Sequence, residues 1–318
     1  MAEDQGTAVV RPPALCSGDT IALVAPSRPA NPHRISTASA WLEKRGYHVR
    51  TSPLCTPYHY LAGRDQDRAK EVMDAFLDDG VQALLCVRGG FGTGRILDRL
   101  DYGAIKDNPK ALIGFSDSTG LQLALLARSG LVSFTGALAD SDLGQGSVDP
   151  LLAESMWRLL ERREALGGLP ADSGDALTTI CGGCGEGPLV AANLALLCSL
   201  LGTPYAPNLD GAVLLIEDVS EAPYRLDRML TQLRLAGVLD RLSGLALGRF
   251  HDCFSPTDME ASPTLIEMVI DALGGRNIPT VSGVAYGHMR RRTVLPIGIP
   301  ARIDADVGSV TITESAVR

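Results

Sequence analysis

The sequence lacks any long apolar run, any extended basic cluster and any export signal. No apolar stretch approaches the ~18 residues that a helix needs to cross a bilayer. The longest basic run is the arginine triplet 290–292 in a chain of formal net charge −8, which argues against a nucleic-acid partner. Residues 1–15 are acidic and then proline-rich, without the basic start and apolar core of a signal peptide. We therefore expect a cytoplasmic protein that binds neither membranes nor nucleic acid.

The cysteines also lack a metal-binding pattern. Seven of them are spread over separate segments, and Cys181 and Cys184 are the one pair with Cys-x-x-Cys spacing. A structural zinc site requires two further ligands at similar spacing, and none follows this pair. We therefore favour a structural role for the pair and expect no metal site.

Short apolar runs alternate with amphipathic segments over residues 20–137. The apolar runs are 20–27, 47–53, 81–89, 111–116 and 131–137, and the helical patterns between them are 35–45, 65–79, 93–100 and 117–128. Apolar strands that alternate with helices indicate a parallel sheet covered on both faces. Ligands bind such sheets beyond the carboxyl ends of the strands. The positions of interest are therefore Ser27, the turn 88–90 and Ser116.

The pattern changes after residue 140. Turn-rich stretches flank a single helical segment over 140–179, and we interpret this part as a linker region. Beyond it, short strands are interrupted by helices near 223–236 and 263–274. We predict an α/β protein with a flavodoxin-like N-terminal parallel sheet, helices on both its faces, and a mixed, β-rich C-terminal domain. The expected divisions are an N-terminal domain 1–165, a linker 166–179 and a C-terminal domain 180–318.

Ser116 lies where the apolar strand 111–116 turns directly into a helix. A serine at such a turn projects at the top of the sheet, where the next amide and the helix N-terminus can stabilise an oxyanion. The segment 114–118 departs from the nucleophile pattern Gly-x-Ser-x-Gly, because Ser118 replaces the second glycine. Serine before a helix is also a preferred cap, and the local sequence alone favours that role.

A glycine-rich turn, residues 88–94, follows the third apolar run and opens the next helical pattern. Its free amides could cradle a phosphate, but the spacing fits neither Gly-x-Gly-x-x-Gly nor Gly-x-x-x-x-Gly-Lys-[Ser/Thr]. The glycines can instead allow a sharp backbone turn, or offer an amide to an oxyanion beside Ser116. The sharp turn and the amide for an oxyanion are compatible roles.

A candidate carboxylate and two candidate histidines follow later strands. Glu217 ends an apolar run, and the local sequence favours a side chain that faces water or pairs with Arg225 or Arg228 over a catalytic one. His251 and His288 both follow apolar segments and precede polar loops, so either can serve as a general base for an activated serine. Spacing does not choose between the two histidines.

Five long segments suggest a family. In chain order they are GDTIALVAPS, RGGFGTGR, IGFSDSTGLQLAL, GTPYAPNLDGAVLLIEDVSEAPYRLDRMLTQLRLAG and GHMRRRTVLPIGIPARID. With them the chain, from about residue 18 to 312, resembles the LD-carboxypeptidase family of serine peptidases, which includes microcin C immunity proteins. One departure is Ala191-Ala192 before Asn193-Leu194, where relatives often have two glycines.

The resemblance implies a Ser–Glu–His triad. Its nucleophile falls on Ser116, its carboxylate on Glu217 and its base on His288, rather than on the other candidate histidine. The implied oxyanion hole consists of the Asp117 amide and an amide of the glycine-rich turn, which we assign to Gly90. The family chemistry needs no metal and no organic cofactor.

The resemblance also implies a substrate. Family members usually hydrolyse a murein tetrapeptide between the L-centre of a diamino acid and a terminal D-alanine, during cell-wall recycling. Because this peptide is rich in carboxylates, Arg225, Arg228 and the triplet 290–292, Arg290 above all, are candidates for binding it. Each of these arginines can instead be an ordinary solvated side chain. The oligomeric state stays open, a homodimer included.

Two other functions compete with this one. Immunity-type members must hold an adenylate-like group, which stacks best on an aromatic ring, worth ~1–3 kcal/mol per base. The chain has only two tryptophans, Trp41 and Trp157, both in helical patterns, and the connecting segment 164–187 contains no aromatic residue. Other rings could stack instead: Tyr205, Tyr224 and Tyr286. We therefore expect the peptide to be preferred over aminoacyl-nucleotide conjugates.

The other competing function is a non-catalytic nucleotide or sugar-phosphate binding protein that uses the glycine-rich turn.

Overall fold

The structure, a computed structural model, describes residues 8–51, 57–173, 176–255 and 262–318. The N-terminal elements are β1 (Thr20–Val24), α1 (Pro32–Lys44), β2 (His48–Thr51), α2 (Asp65–Leu77), β3 (Ala83–Cys86), α3 (Tyr102–Asp107), β4 (Ala111–Gly114), α4 (Ser118–Ser129), β5 (Ser133–Thr135) and α5 (Pro150–Glu161). The C-terminal elements are β6 (Ala165–Gly168), β7 (Thr178–Cys181), β8 (Cys184–Asn193), α6 (Leu194–Leu200), β9 (Val213–Val219), α7 (Pro223–Leu235), β10 (Gly244–His251), α8 (Leu265–Leu273), β11 (Thr280–Gly287), β12 (Leu295–Ile297), β13 (Pro300–Asp304) and β14 (Ser309–Ser315).

The N-terminal sheet has the parallel strand order β2-β1-β3-β4-β5. This is the order of flavodoxin-like sheets, and it confirms the predicted fold class. Strands β3 and β4 are buried over their whole length, as expected for apolar strands in a covered parallel sheet. Because β1, β3 and β4 are neighbours, the loops that follow them meet at one edge of the sheet.

The C-terminal sheet is mixed, as predicted, and has the strand order β6-β14-β13-β8-β9-β10-β11-β7. Its central strands β8, β9, β10 and β11 are parallel to one another. Antiparallel strands flank them, β13 on one side and β7 on the other. The ends of β9, β10 and β11 therefore also lie side by side.

One strand links the two sheets. Strand β12 follows β11 in the chain but pairs antiparallel with β5 of the N-terminal sheet. The intervening residues 288–294 consequently run from one sheet to the other. This segment therefore connects the two halves of the protein.

Local signals explain where several helices begin and end. Asn31 caps α1 by accepting hydrogen bonds from the His33 and Arg34 amides, and α4 ends at Gly130 in the left-handed conformation. Thr264 caps α8 in a reciprocal capping box. Across the four described ranges, no helix is both long enough and apolar enough to cross a membrane.

Two local predictions differ from the structure. The pattern 93–100 predicted a helix, but the chain forms only short 3₁₀ turns there, since glycine at 92 and 94 disfavours a continuous helix. The expected linker 166–179 contains most of β6 and the start of β7, which pair with β14 and β11. The two domain boundaries themselves remain a prediction.

Candidate active site

Ser116 sits in a sharp turn between β4 and α4. Its φ angle of 61° lies in the left-handed region, which a non-glycine residue occupies at a cost of about 1–3 kcal/mol. Such strain is typical of serines held at a strand-to-helix turn. The capping residue of α4 is Asp117, and the Ser116 hydroxyl instead contacts a histidine ring. The capping role that local sequence favoured for Ser116 is therefore not the arrangement observed.

Ser116, His288 and Glu217 form a continuous chain of hydrogen bonds. Ser116 Oγ lies 3.0 Å from His288 Nε2, and His288 Nδ1 lies 2.6 Å from Glu217 Oε2. His288 directly follows β11, so the segment that crosses between the sheets carries it to the serine. The structure thus brings together the three residues that the family resemblance singled out.

Glu217 is fully buried within β9 and faces neither water nor the two arginines considered above. Asn193 Nδ2 donates to Glu217 Oε1 at 3.2 Å, while the other carboxylate oxygen faces His288. The same Asn193 amide donates to Asp218 Oδ1 at 2.9 Å. Burial raises the pKa of the Asp218 carboxyl to about 6, although three hydrogen bonds oppose the shift. Asn193 therefore fixes the orientation of Glu217, a role that the sequence did not reveal.

His251, the other candidate base, lines a cavity that Ser116 and His288 also line, but it lies outside this chain of hydrogen bonds. It ends β10, and its Nε2 atom lies 3.3 Å from the Asp252 carboxylate. Its side chain is 45% exposed, whereas that of His288 is only 19% exposed.

The glycine-rich turn packs directly against the serine. A Cβ atom at Gly89 would lie 2.8 Å from Ser116 Cβ, and one at Gly90 would lie 2.5 Å from Arg28 Cδ. Gly90 also has a φ of 111°, which side-chain-bearing residues rarely adopt. Among the hydrogen bonds formed within the described ranges, none is donated by the Gly90 or Asp117 amide. Unpaired amides beside a serine are what an oxyanion site requires.

The Asp117 side chain connects the loops that follow three strands. Its Oδ2 atom accepts hydrogen bonds from Ser27 Oγ at 2.6 Å and from the Thr93 amide at 2.9 Å. Thr93 Oγ1 also donates to the Asp117 carbonyl at 2.6 Å. All three residues are buried. The loops after β1, β3 and β4 are thereby held in one arrangement around Ser116.

A cavity of about 750 Å³ opens in front of Ser116 and His288. Three exposed arginines on its wall have no carboxylate partner among the described residues: Arg28, Arg88 and Arg290. Its two wall carboxylates are already engaged, since Asp142 pairs with Arg292 and Asp149 caps α5. The free charge of this cavity is therefore positive, which suits an anionic ligand.

The predicted arginines divide into two groups. Arg290 lines the cavity, where it donates to Ser147 Oγ. Arg225 and Arg228 lie on the exposed face of α7 and are absent from the cavity wall, with Arg225 paired to Glu221 at 3.5 Å. Arg88, part of the turn 88–90 that the sequence pointed to, follows β3 at the edge where ligands were expected. Arg28, which we did not single out, follows β1 at the same edge.

Cys181 and Cys184 lie at the ends of β7 and β8 and do not line this cavity. Cys184 shares the surface with Asp304 and Asp306, and their candidate ligand atoms lie within 4.8 Å of one another. Exposed groups often lie this close without a cation, so we assign no metal to them. Cys55 lies outside the described residues.

Comparison with known proteins identifies the family. The family model for the LD-carboxypeptidase N-terminal domain matches residues 21–136, and that for the LD-carboxypeptidase C-terminal domain matches residues 186–303. The probable murein peptide carboxypeptidase of Bacillus subtilis (strain 168) is 37% identical over 295 residues, covering 92% of this chain and 91% of that one. The murein tetrapeptide carboxypeptidase of Pseudomonas aeruginosa is 30% identical over 297 residues, covering 90% and 93%.

A solved structure also matches nearly the whole chain. The structure of MccF in complex with glutamyl sulfamoyl guanosine superimposes with a TM-score of 0.86 at 25% identity, covering 97% of this chain and 99% of that one. The two family models thus match both halves of the chain, and the relatives match nearly its full length. The chain belongs to the LD-carboxypeptidase family.

Proposed function

We propose that this protein is a serine carboxypeptidase that hydrolyses the L,D-peptide bond before the terminal D-alanine of murein tetrapeptides, as in cell-wall recycling. The observation that carries the proposal is the hydrogen-bonded chain from Ser116 through His288 to the buried Glu217, at the wall of a positively charged cavity. Relatives named as murein peptide carboxypeptidases support the substrate class.

In the first half-reaction Ser116 Oγ attacks the scissile carbonyl while His288 Nε2 takes its proton. Glu217 accepts the Nδ1 hydrogen of His288, holds the ring in the required tautomer and stabilises the imidazolium. The Asp117 and Gly90 amides hold the oxyanion of the tetrahedral intermediate. His288 then gives its proton to the leaving amine, and free D-alanine departs while the tripeptide stays esterified to Ser116.

In the second half-reaction His288 Nε2 takes a proton from water, and the resulting hydroxide attacks the ester carbonyl. The same amides hold the second oxyanion. Collapse of this intermediate breaks the ester bond, and Ser116 Oγ recovers its proton from His288. The tripeptide leaves with a new carboxylate.

The charge of the cavity fits this substrate. A murein tetrapeptide carries several carboxylates, and Arg28, Arg88 and Arg290 offer guanidinium groups without carboxylate partners among the described residues. Arginine pairs with carboxylates in a planar, two-pronged geometry. The volume of about 750 Å³ is within the usual range for small-ligand sites.

The aromatic residues favour the peptide over nucleotide conjugates. Within the described part of the cavity wall, Phe115 supplies the one Phe, Tyr or Trp ring, and the Arg292 guanidinium already covers it at 4.4 Å. Trp41 and Trp157 stack on each other instead, with ring centroids 5.5 Å apart. None of the candidate tyrosines lies on the cavity wall, and Tyr286 is buried against Thr135.

We expect a higher kcat/KM for a defined murein tetrapeptide than for aminoacyl-sulfamoyl nucleosides. The measurement is mass spectrometry of the released products under matched conditions, with free D-alanine as the product of the peptide. A Ser116→Ala protein serves as the blank for both substrates. A higher kcat/KM for the nucleoside conjugates would replace the carboxypeptidase with an immunity-type activity, like that of the MccF relatives. Binding without turnover of either compound would favour the non-catalytic alternative.

A further prediction concerns the Asp117 side chain. Asp117→Ala removes the hydrogen bonds from Ser27 Oγ and from the Thr93 amide, which hold the loop after β1 and the glycine-rich turn in place, while the backbone amide remains. Because misplacing a reacting group by about 1 Å can reduce turnover 10²-fold, we expect kcat to fall by roughly that factor with little change in KM. Asp117→Asn keeps an oxygen that can accept from Ser27 and Thr93, so most activity should return. Equal kcat values for the alanine variant and the wild type would contradict this role.

A further inference from the structure

A carboxypeptidase must recognise the end of its substrate, and this inference rests on the proposed function. In a peptide that ends in D-alanine, only the amide nitrogen and one carbon separate the scissile carbonyl from the terminal carboxylate. The group that binds this carboxylate must therefore lie directly beside the oxyanion site. A cation farther along the cavity would bind other carboxylates of the substrate but would not distinguish a chain end.

Arg28 occupies such a position. It follows β1, and its side chain passes over the glycine-rich turn, because a Cβ at Gly90 would meet Arg28 Cδ at 2.5 Å and Nε at 3.0 Å. A Cβ at the preceding Gly89 would meet Ser116 Oγ at 3.0 Å. The Cα atoms of consecutive residues are about 3.8 Å apart. Arg28 and the serine hydroxyl therefore flank neighbouring residues of the same turn.

The Arg28 guanidinium is also uncommitted. The side chain is exposed in the cavity, and no ion pair or hydrogen bond engages it within the described ranges. The other cavity arginines differ in this respect. Arg88 donates to the Pro29 carbonyl, Arg290 donates to Ser147, and Arg292 is buried against Asp142.

We propose that Arg28 binds the terminal carboxylate of the substrate and thereby restricts the enzyme to cleavage at a free chain end. The absence of a Cβ at Gly90 lets the Arg28 stem lie against the turn that supplies the oxyanion amide. A guanidinium held there can form a two-pronged pair with the carboxylate of the departing D-alanine. Arg28 is thus a specificity-determining residue, while the chemical steps belong to Ser116, His288 and Glu217.

The test combines an enzyme change with a substrate change. The wild type and Arg28→Met are assayed on a tetrapeptide with a free terminal carboxylate and on the same peptide with a terminal amide. Methionine keeps an apolar stem over Gly90 but removes the charge. A charged hydrogen-bonded pair typically changes kcat/KM by roughly 10- to 10²-fold. We expect the kcat/KM of the wild type to be higher for the free acid than for the amide by about this factor. Arg28→Met should lose this preference, because its kcat/KM should fall for the free acid and not for the amide.

Arg88→Met is the matched control, since it removes an arginine from the same cavity. It should slow both peptides by the same factor and leave the preference for the free acid intact. Arg28→Gln provides a second variant, and thermal unfolding verifies that each protein is folded. An unchanged acid-to-amide ratio in both Arg28 variants, or an equal loss on both peptides, would overturn the role of Arg28 while leaving the hydrolase intact. A wild type that releases no D-alanine from the free acid would instead overturn the proposed function itself.

Discussion

Replacing Ser116 with alanine lowers kcat for the tetrapeptide by roughly 10⁴- to 10⁶-fold, which is the usual effect of removing a triad nucleophile. The reason is that His288 then has no hydroxyl to deprotonate and no acyl-enzyme can form. The Ser116 side chain makes its one described hydrogen bond to His288, so the fold should persist. Thermal unfolding of both proteins checks that point, and D-alanine release measures turnover. Activity within tenfold of the wild type would refute Ser116 as the nucleophile.

Replacing Glu217 with glutamine lowers kcat by about 10⁴-fold, by analogy with the loss caused by a wrong histidine tautomer in other triads. Asn193 Nδ2 donates to Glu217 Oε1, so a glutamine turns its oxygen toward Asn193 to keep that hydrogen bond. Its NH₂ group then faces His288 Nδ1 and donates to it. The proton of the neutral ring must move to Nε2, which can no longer accept the proton of Ser116.

Glu221→Gln is the matched control for this change. It makes the same chemical substitution four residues later, in the loop after β9, at a residue whose partner is Arg225 rather than His288. The control should keep the wild-type kcat, and both variants should remain folded because the side-chain volume is preserved. If Glu217→Gln retained kcat within tenfold of the wild type, the orienting role of Glu217 would be wrong.

The sequence predicted the first sheet well because its signals are local. Apolar runs and helical periodicity locate β1, β3, β4 and the helices α1, α2 and α4, and a buried strand that turns directly into a helix draws attention to Ser116. The rule that ligands bind beyond strand ends likewise pointed to the glycine-rich turn. It did not distinguish an exposed arginine that packs over Gly90 from any other surface arginine, and Arg28 was therefore missed.

The sequence could not choose between His251 and His288 without the family resemblance, and the structure explains why. The two residues follow the same kind of apolar strand, and their strands β10 and β11 are parallel neighbours. The difference arises from the path of the chain after β11. That segment crosses to the N-terminal sheet, where β12 pairs with β5, and so carries His288 toward Ser116.

The position of Glu217 likewise could not be predicted from the local sequence. A carboxylate near the end of an apolar run can face solvent, and sequence alone favoured that outcome. Its complete burial depends on strands β8 and β10, which pair with β9 on either side. Such long-range pairing also brings Asn193 beside Glu217, since the two residues are partners in the register of β8 and β9. Neither fact is encoded in the local pattern.

The most direct test of the central claim is intact-protein mass spectrometry after treatment with a fluorophosphonate, which reacts with activated serines. The wild type should gain the mass of a single adduct, and peptide mapping should place it on Ser116. The tetrapeptide should slow the labelling, because both compounds require the same hydroxyl. Ser116→Ala should gain no adduct under the same conditions. Undiminished labelling of Ser116→Ala, or no labelling of an active wild type, would contradict a mechanism that proceeds through Ser116.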